Sequence, residues 1–152
     1  MKIVIDTNVF LSSLFSKNGA SHKLVLWIVN QYKNSHKKYN VISNTLLTEY
    51  EDVLTRDKNI EKFKNFSISD VEEFIDGICL ISNHQKINFM WRPFLKDSND
   101  DMVLEVAFNS RADYIVTHNI KDFKGVKENF NIEIVTPKEF LLKIGEKKWI
   151  LH

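Results

Sequence analysis

The sequence predicts an α/β protein, with a central, mostly parallel sheet of four to five strands in a three-layer α/β/α arrangement. Three observations predict it. Short apolar runs at residues 2–6, 39–42, 114–117 and 132–135 alternate with longer segments whose apolar positions repeat at helical spacing. Phe (11) and Trp (3) are plentiful while Gly (4) and Pro (2) are scarce, which favours long regular elements over loops. Finally, 152 residues suffice to bury a core as one domain, 1–152, without disulfides or a structural metal.

Residues 2–6 read as a short buried strand, and Thr7 and Asn8 open a helix that Asn18 and Gly19 stop. Residues 22–32 carry Leu24, Val25, Trp27, Ile28 and Val29, a stripe wide enough for a helix packed on a sheet. Residues 39–42 form the second strand. Over 44–54, Leu46, Leu47, Tyr50, Val53 and Leu54 follow helical spacing, with Ser43 or Asn44 as cap. A further helix spans 69–81, capped by Ser67 or Ser69. Regularity breaks at Phe89, Met90, Trp91, Arg92 and Pro93, and 92–97 is a loop feeding a helix over 98–111. Residues 114–117 and 132–135 are the last strands, and Pro137 suits the first turn of a closing helix.

Charge says little, because 21 basic and 20 acidic residues leave a net +1, no footprint of a nucleic-acid binder. A nuclease reading requires acids gathered in a site, with lysines such as Lys33, Lys37, Lys38, Lys62 and Lys64 around it. Cys79 is the single cysteine, read as a small buried thiol, so no intrachain disulfide forms. No run approaches membrane-spanning length and no leader pattern precedes the first strand, so the expected location is the cytoplasm.

Three distant acids carry the chemistry. Asp6 ends the first strand, where open parallel sheets form their sites, although capping the next helix explains it equally well. Glu49 and Glu51 flank the apolar stripe of one helix, and periodicity does not choose between them. Asp100 and Asp101 begin the late helix about 100° apart, so one enters a common site and the other does not. The strand at 114–117 ends in Thr117, His118 and Asn119, with Asp122 just beyond. Carboxylates brought to one edge repel unless a cation joins them, and a site of oxygen ligands suits phosphoryl chemistry. There is no GxSxG, P-loop, HExxH or CxxC pattern, and the five histidines are scattered. A haloacid-dehalogenase-like phosphatase would need an aspartate where Asn8 stands.

Taken in order, MKIVIDTNVFLSSLF, LLTEYEDVL, WRPFLKDSNDDMVLEVAF and ADYIVTHNIKDF resemble the PIN-domain family, in particular its toxin components of bacterial toxin–antitoxin systems. The resemblance covers nearly the whole chain. It implies a PIN-like fold with Asp6, Glu49 and Asp101 as metal-binding acids, choosing Glu49 over Glu51 and Asp101 over Asp100. The fourth acid of the family falls where this chain has Asn119, so Asp122 is expected to supply it, with Asn119 as the other candidate. Asn8 and Thr117 resemble the polar groups that orient such ligands. The implied function is an endoribonuclease dependent on Mg²⁺ or Mn²⁺, acting on RNA as a toxin, with a cognate antitoxin protein as partner and self-association into a homodimer. Two alternatives stand beside it: a PIN-like RNA- or protein-binding module without efficient catalysis, and an RNA-processing nuclease that is not a toxin.

Overall fold

In the computed structural model, which describes residues 1–145, five short parallel strands run through the centre of the chain. β1 (Ile3–Ile5), β4 (Tyr114–Val116) and β5 (Glu133–Val135) form one sheet in the order β1-β4-β5, while β2 (Val41–Ile42) and β3 (Asn83–His84) form a second. A parallel bridge between Ile3 and Asn40 joins the two, and the Ile3 amide donates to the Tyr39 carbonyl at 2.8 Å. The expected mostly parallel sheet is therefore present, drawn as three strands plus two.

Chain direction across the sheet sets the place of the site. From β1 the chain steps to β2 and β3 on one side, then returns to lay β4 and β5 on the other. The order reverses between β1 and β4, and at such a switch point the loops beyond the strand ends diverge and open a crevice.

Helices cover both faces. α6 (Ser98–Ser110) lies against β1, β2 and β4, and also meets α3 (Asn44–Leu54). α2 (Ala20–Ser35) and α8 (Pro137–Lys143) pack together, Trp27 meeting Phe140 edge-on at 5.4 Å and stacking on Tyr39 at 5.1 Å. α1 (Thr7–Phe15) joins α2 and α3, with Phe10 against Tyr50 at 4.9 Å and against Phe74 of α5 (Ile68–Leu80) at 5.9 Å. The strand residues Ile3, Val4, Ile5, Ile115 and Val116 are fully buried, which is why the strands read as continuous apolar runs rather than alternating ones.

Local chemistry sets the helix ends. Ser43, not Asn44, caps α3 by accepting from the Leu46 amide at 3.1 Å. Ser67, not Ser69, caps α5 through a reciprocal box with Asp70, and Thr136 and Glu139 do the same for α8, with Pro137 in its first turn. α2 is longer at both ends than residues 22–32. Three short elements escape the periodic reading: α4 (Asp57–Ile60), α7 (Val126–Phe130) and a 3₁₀ turn at Ile120–Phe123. β3 escapes it too, because its two residues are polar and exposed, and only pairing with β2 makes them a strand. Cys79 is half-buried rather than buried, its Sγ 3.6 Å from His84 Nε2. No described helix is long and apolar enough to cross a membrane.

Candidate functional site

Parallel register builds the first half of the site. Ile5 lies opposite Val116, so the next residues, Asp6 and Thr117, emerge side by side at the carboxyl ends of β1 and β4. Thr117 Oγ1 donates to Asp6 Oδ2 at 2.8 Å and accepts from the Asn119 amide at 3.0 Å. Asp6 occupies the N-cap position of α1 without a side-chain capping bond. Tyr50 reaches across from α3 to donate its hydroxyl to the Ile5 carbonyl, tying that helix to the strand end. Asn8 Oδ1 accepts from the His118 amide at 3.3 Å, and His118 Nε2 pairs with Ser21 Oγ at 2.7 Å. Asn8 and His118 thus brace the loop after β4. Burial lowers the His118 pKa.

The first turn of α6 builds the second half. Asp97 caps the helix by accepting from the Asn99 amide at 2.9 Å. Asp100 opens onto a cavity of about 430 Å³ shared with Asp97, Asp122, Lys96, Lys121 and Lys124. Asp101 turns the other way: it is only 1% exposed, and its Oδ1 accepts from the Leu95 amide at 2.9 Å and the Phe94 amide at 3.3 Å. Of the two, Asp100 lines the crevice, whereas the resemblance implied Asp101 as the metal-binding acid. The rotation between adjacent helical residues sends Asp101 into the protein and leaves Asp100 facing the crevice.

Electrostatics ties the two halves together. The Asp100 pKa is pushed up to about 7, first by burial and then by the negative charges of Asp6, Asp97, Asp122 and Asp101. Asp6 is raised as well, chiefly by burial, with Asp122 and Asp97 adding to it, while the Thr117 hydroxyl and Thr7 amide oppose. Glu49 is raised by burial, then by Asp52, with smaller contributions from Asp97 and Asp6; Arg56 opposes. Glu49 is half-buried and borders a neighbouring depression with Thr48 and Asp52, whereas Glu51 is exposed on a separate one with Glu72 and Asp76.

Asp6, Asp97, Asp100 and Asp122 therefore share one anionic region, with Glu49 at its margin. Among the described residues, however, no three His, Cys, Asp or Glu side chains converge tightly enough to cage an ion as they stand. The donor chemistry still fits a hard divalent cation: every group is a carboxylate oxygen, and their negative charges add to the raised pKa of Asp100 and of Asp6. Mg²⁺ in particular keeps several waters and takes only one or two carboxylates directly. Asn119 sits where the 3₁₀ turn begins and anchors Thr117 through its amide.

The cations at the crevice are not those expected. Lys33 instead lines an apolar cavity of about 480 Å³ between α1, α2 and α5, and Lys38 lies over the Tyr32 ring at 5.8 Å. Lys96, Lys121 and Lys124 were missed, as was Asp97. The signal available for them was the density of charge in KDSNDD and in IKDFK, on either side of the predicted late helix and strand.

Compared with known proteins, residues 2–121 match the model of the PIN domain. The chain is also 26% identical over 152 residues to an uncharacterized protein of Methanocaldococcus jannaschii, an alignment covering 93% of this chain and 90% of that one. No solved structure matches. PIN domains are generally nucleases, and the fold here is nuclease-like. With a parallel sheet, a carboxylate crevice at its switch point and a family match over most of its length, the chain belongs to the PIN-domain family.

Proposed function

We propose that this protein is a metal-dependent endoribonuclease hydrolysing RNA phosphodiester bonds, and that it acts as the toxin of a toxin–antitoxin pair. The observation that carries the reading is the gathering of Asp97, Asp100 and Asp122 on one cavity, with Asp6 close enough to act on Asp100, whose pKa is raised to about 7 by burial first and by these charges second. Clustered carboxylates that destabilise one another are costly for a fold and useful for a cation. PIN domains typically use divalent ions, bind RNA and often pair with antitoxins, which supports each part of the proposal.

Asp6, Asp100 and Asp122 would hold Mg²⁺ or Mn²⁺, with Glu49 reaching in from α3 and Asp101 assigned to the scaffold. The ion would supply a hard Lewis acid that neutralises phosphate charge and acidifies water. The chain's own groups do the rest. Thr117 holds Asp6 Oδ2 in a fixed orientation, while Tyr50 keeps α3 against the strand end. Lys96, Lys121 and Lys124 line the same cavity and would take phosphates flanking the scissile bond. Solvent water is the nucleophile. The partners proposed are an RNA substrate, a cognate antitoxin and a second copy of the chain.

One observation favours the binding-module reading, namely that among the described residues no three carboxylates already form a cage. Assaying RNA cleavage by wild type and Asp6→Asn in Mg²⁺ and Mn²⁺ separates the two. The nuclease reading expects the variant to lose at least about 10²-fold in rate. Equal rates, or an inactive wild type across metals and RNAs, sink it; metal-independent RNA binding unchanged in Asp6→Asn would then favour the binder. Growth arrest on expression, relieved by a co-expressed partner, distinguishes a toxin from an RNA-processing nuclease.

A further inference from the structure

Between β3 and α6 the chain carries no regular element, yet it is not loosely held. Phe89, Met90, Trp91 and Phe94 are 63%, 64%, 39% and 38% exposed, a contiguous apolar surface of the kind that marks an interaction site. Beneath it, α6 presents Asp101, Glu105 and Asn109 at helical i, i+4, i+8 spacing. Asp101 and Glu105 are 1% and 2% exposed.

All three bind the same ribbon. Asn109 Oδ1 accepts from the Asn88 and Phe89 amides at 3.0 Å each. Glu105 accepts from the Trp91 amide at 3.2 Å and takes the Arg92 guanidinium in a two-pronged pair at 2.8 and 2.9 Å. Asp101 accepts from Phe94 and Leu95. Burying two carboxylates is expensive unless their bonds are satisfied, and here the satisfying groups all belong to a segment that turns its rings outward. Leu95 alone is driven into the core. The rings brace one another edge-to-face, Phe94 on Phe130 at 5.0 Å and Trp91 on Phe130 and Phe108 at 5.2 Å each.

Position supplies the occupant. Phe94 lines the cavity that holds Asp100, Asp122, Lys96, Lys121 and Lys124, so a fixed aromatic ring stands beside the carboxylates and the cations. An RNA strand whose phosphate lay in that cavity would carry its neighbouring base toward the ring. A base offers a free face only when it is unstacked, which a duplex does not permit.

Resting on the nuclease reading for its substrate, we propose that the Phe89–Leu95 ribbon is a base-stacking platform for single-stranded RNA. Phe94 receives the base next to the scissile phosphate, and Asp101, Glu105 and Asn109 act as positioning residues that hold the platform rigid.

The test measures fluorescence anisotropy of a labelled single-stranded RNA octamer and of an equal-length duplex, in EDTA at low salt and again in Mg²⁺. Phe94→Ala and Phe94→Leu should weaken single-strand binding at least about fivefold, Phe94→Tyr should stay within about twofold, and duplex binding should not change. Should Phe94→Ala fail to fold, the Leu and Tyr pair carries the comparison, since both keep apolar bulk and only one keeps a ring face. Three results overturn the platform: wild-type affinity in Phe94→Leu, absence of single-strand binding in both buffers, or sedimentation showing that the ribbon seats a second copy that Phe94→Ala releases. Ring-dependent binding by a chain that never cleaves RNA would retire the nuclease reading and keep the platform. Cleavage with ring-independent binding would do the reverse.

Discussion

Asp100 and Asp101, neighbours in the first turn of α6, face opposite surroundings: Asp100 opens onto the anionic crevice, while Asp101 is buried and accepts from the amides of Phe94 and Leu95. Two residues of identical chemistry thus separate into one that lines the cavity and one that bonds the segment before the helix. The helical rotation between them decides which is which.

That division predicts opposite variant phenotypes. Asp100→Asn should cost at least about 10²-fold in RNA cleavage and leave stability unchanged or raised, because it relieves like-charge repulsion. Asp101→Ala should cost about 1–3 kcal/mol in urea unfolding, since it strands two amides without an acceptor. Cleavage assays and unfolding curves on the same two proteins check this. A destabilised Asp100→Asn with an unperturbed Asp101→Ala would reverse the assignment.

Thr117 is fully buried and its hydroxyl is the one side-chain donor bonded to Asp6 among the described residues. Thr117→Val keeps the shape and removes that donor, so the Asp6 pKa should rise further. The expected result is a pH–rate profile shifted to higher pH, with about 1–3 kcal/mol lost from stability. A profile that does not move would show that the hydroxyl packs without tuning the carboxylate.

Asp100 also makes stability depend on pH. Its pKa rises from 3.8 to about 7 on folding, so between those values the folded chain keeps a proton that the unfolded chain has released. Stability from this group therefore falls as pH climbs through that window, and is flat below it. Asp6, also raised, slopes the same way, whereas Asp70, lowered by its cap with Ser67, slopes oppositely. Subtracting the Asp100→Asn curve from wild type isolates the contribution, measured by denaturant unfolding in EDTA from pH 4 to pH 8. The difference should grow unfavourable to wild type as pH rises, and a level difference contradicts it.

Much of the architecture was legible in the residues themselves. Apolar runs such as KIVI and YIVT become buried parallel strands because both faces of the sheet are covered, and alternation is then unnecessary. Ser67 with Asp70 and Thr136 with Glu139 write their helix starts in local hydrogen bonds. The elements that were not legible lack any such local code. β3 is made by its partner strand, and α4, α7 and the 3₁₀ turn are too short for a period to show.

The site divides along the same line. Asp6 could be singled out from sequence because the end of a buried strand is a fixed place in an open sheet. Sequence by itself thus determined the fold class, the strand-end acid and the presence of a carboxylate in the first turn of the late helix. Only the tertiary structure decided that Asp100 rather than Asp101 faces the crevice, that Lys96, Lys121 and Lys124 rather than Lys33 or Lys38 line it, and that Asp101, Glu105 and Asn109 hold an aromatic ribbon beside it. The reason is physical: a side chain's facing depends on what packs against its helix, and burial and charge from distant segments, not local order, set what each carboxylate does.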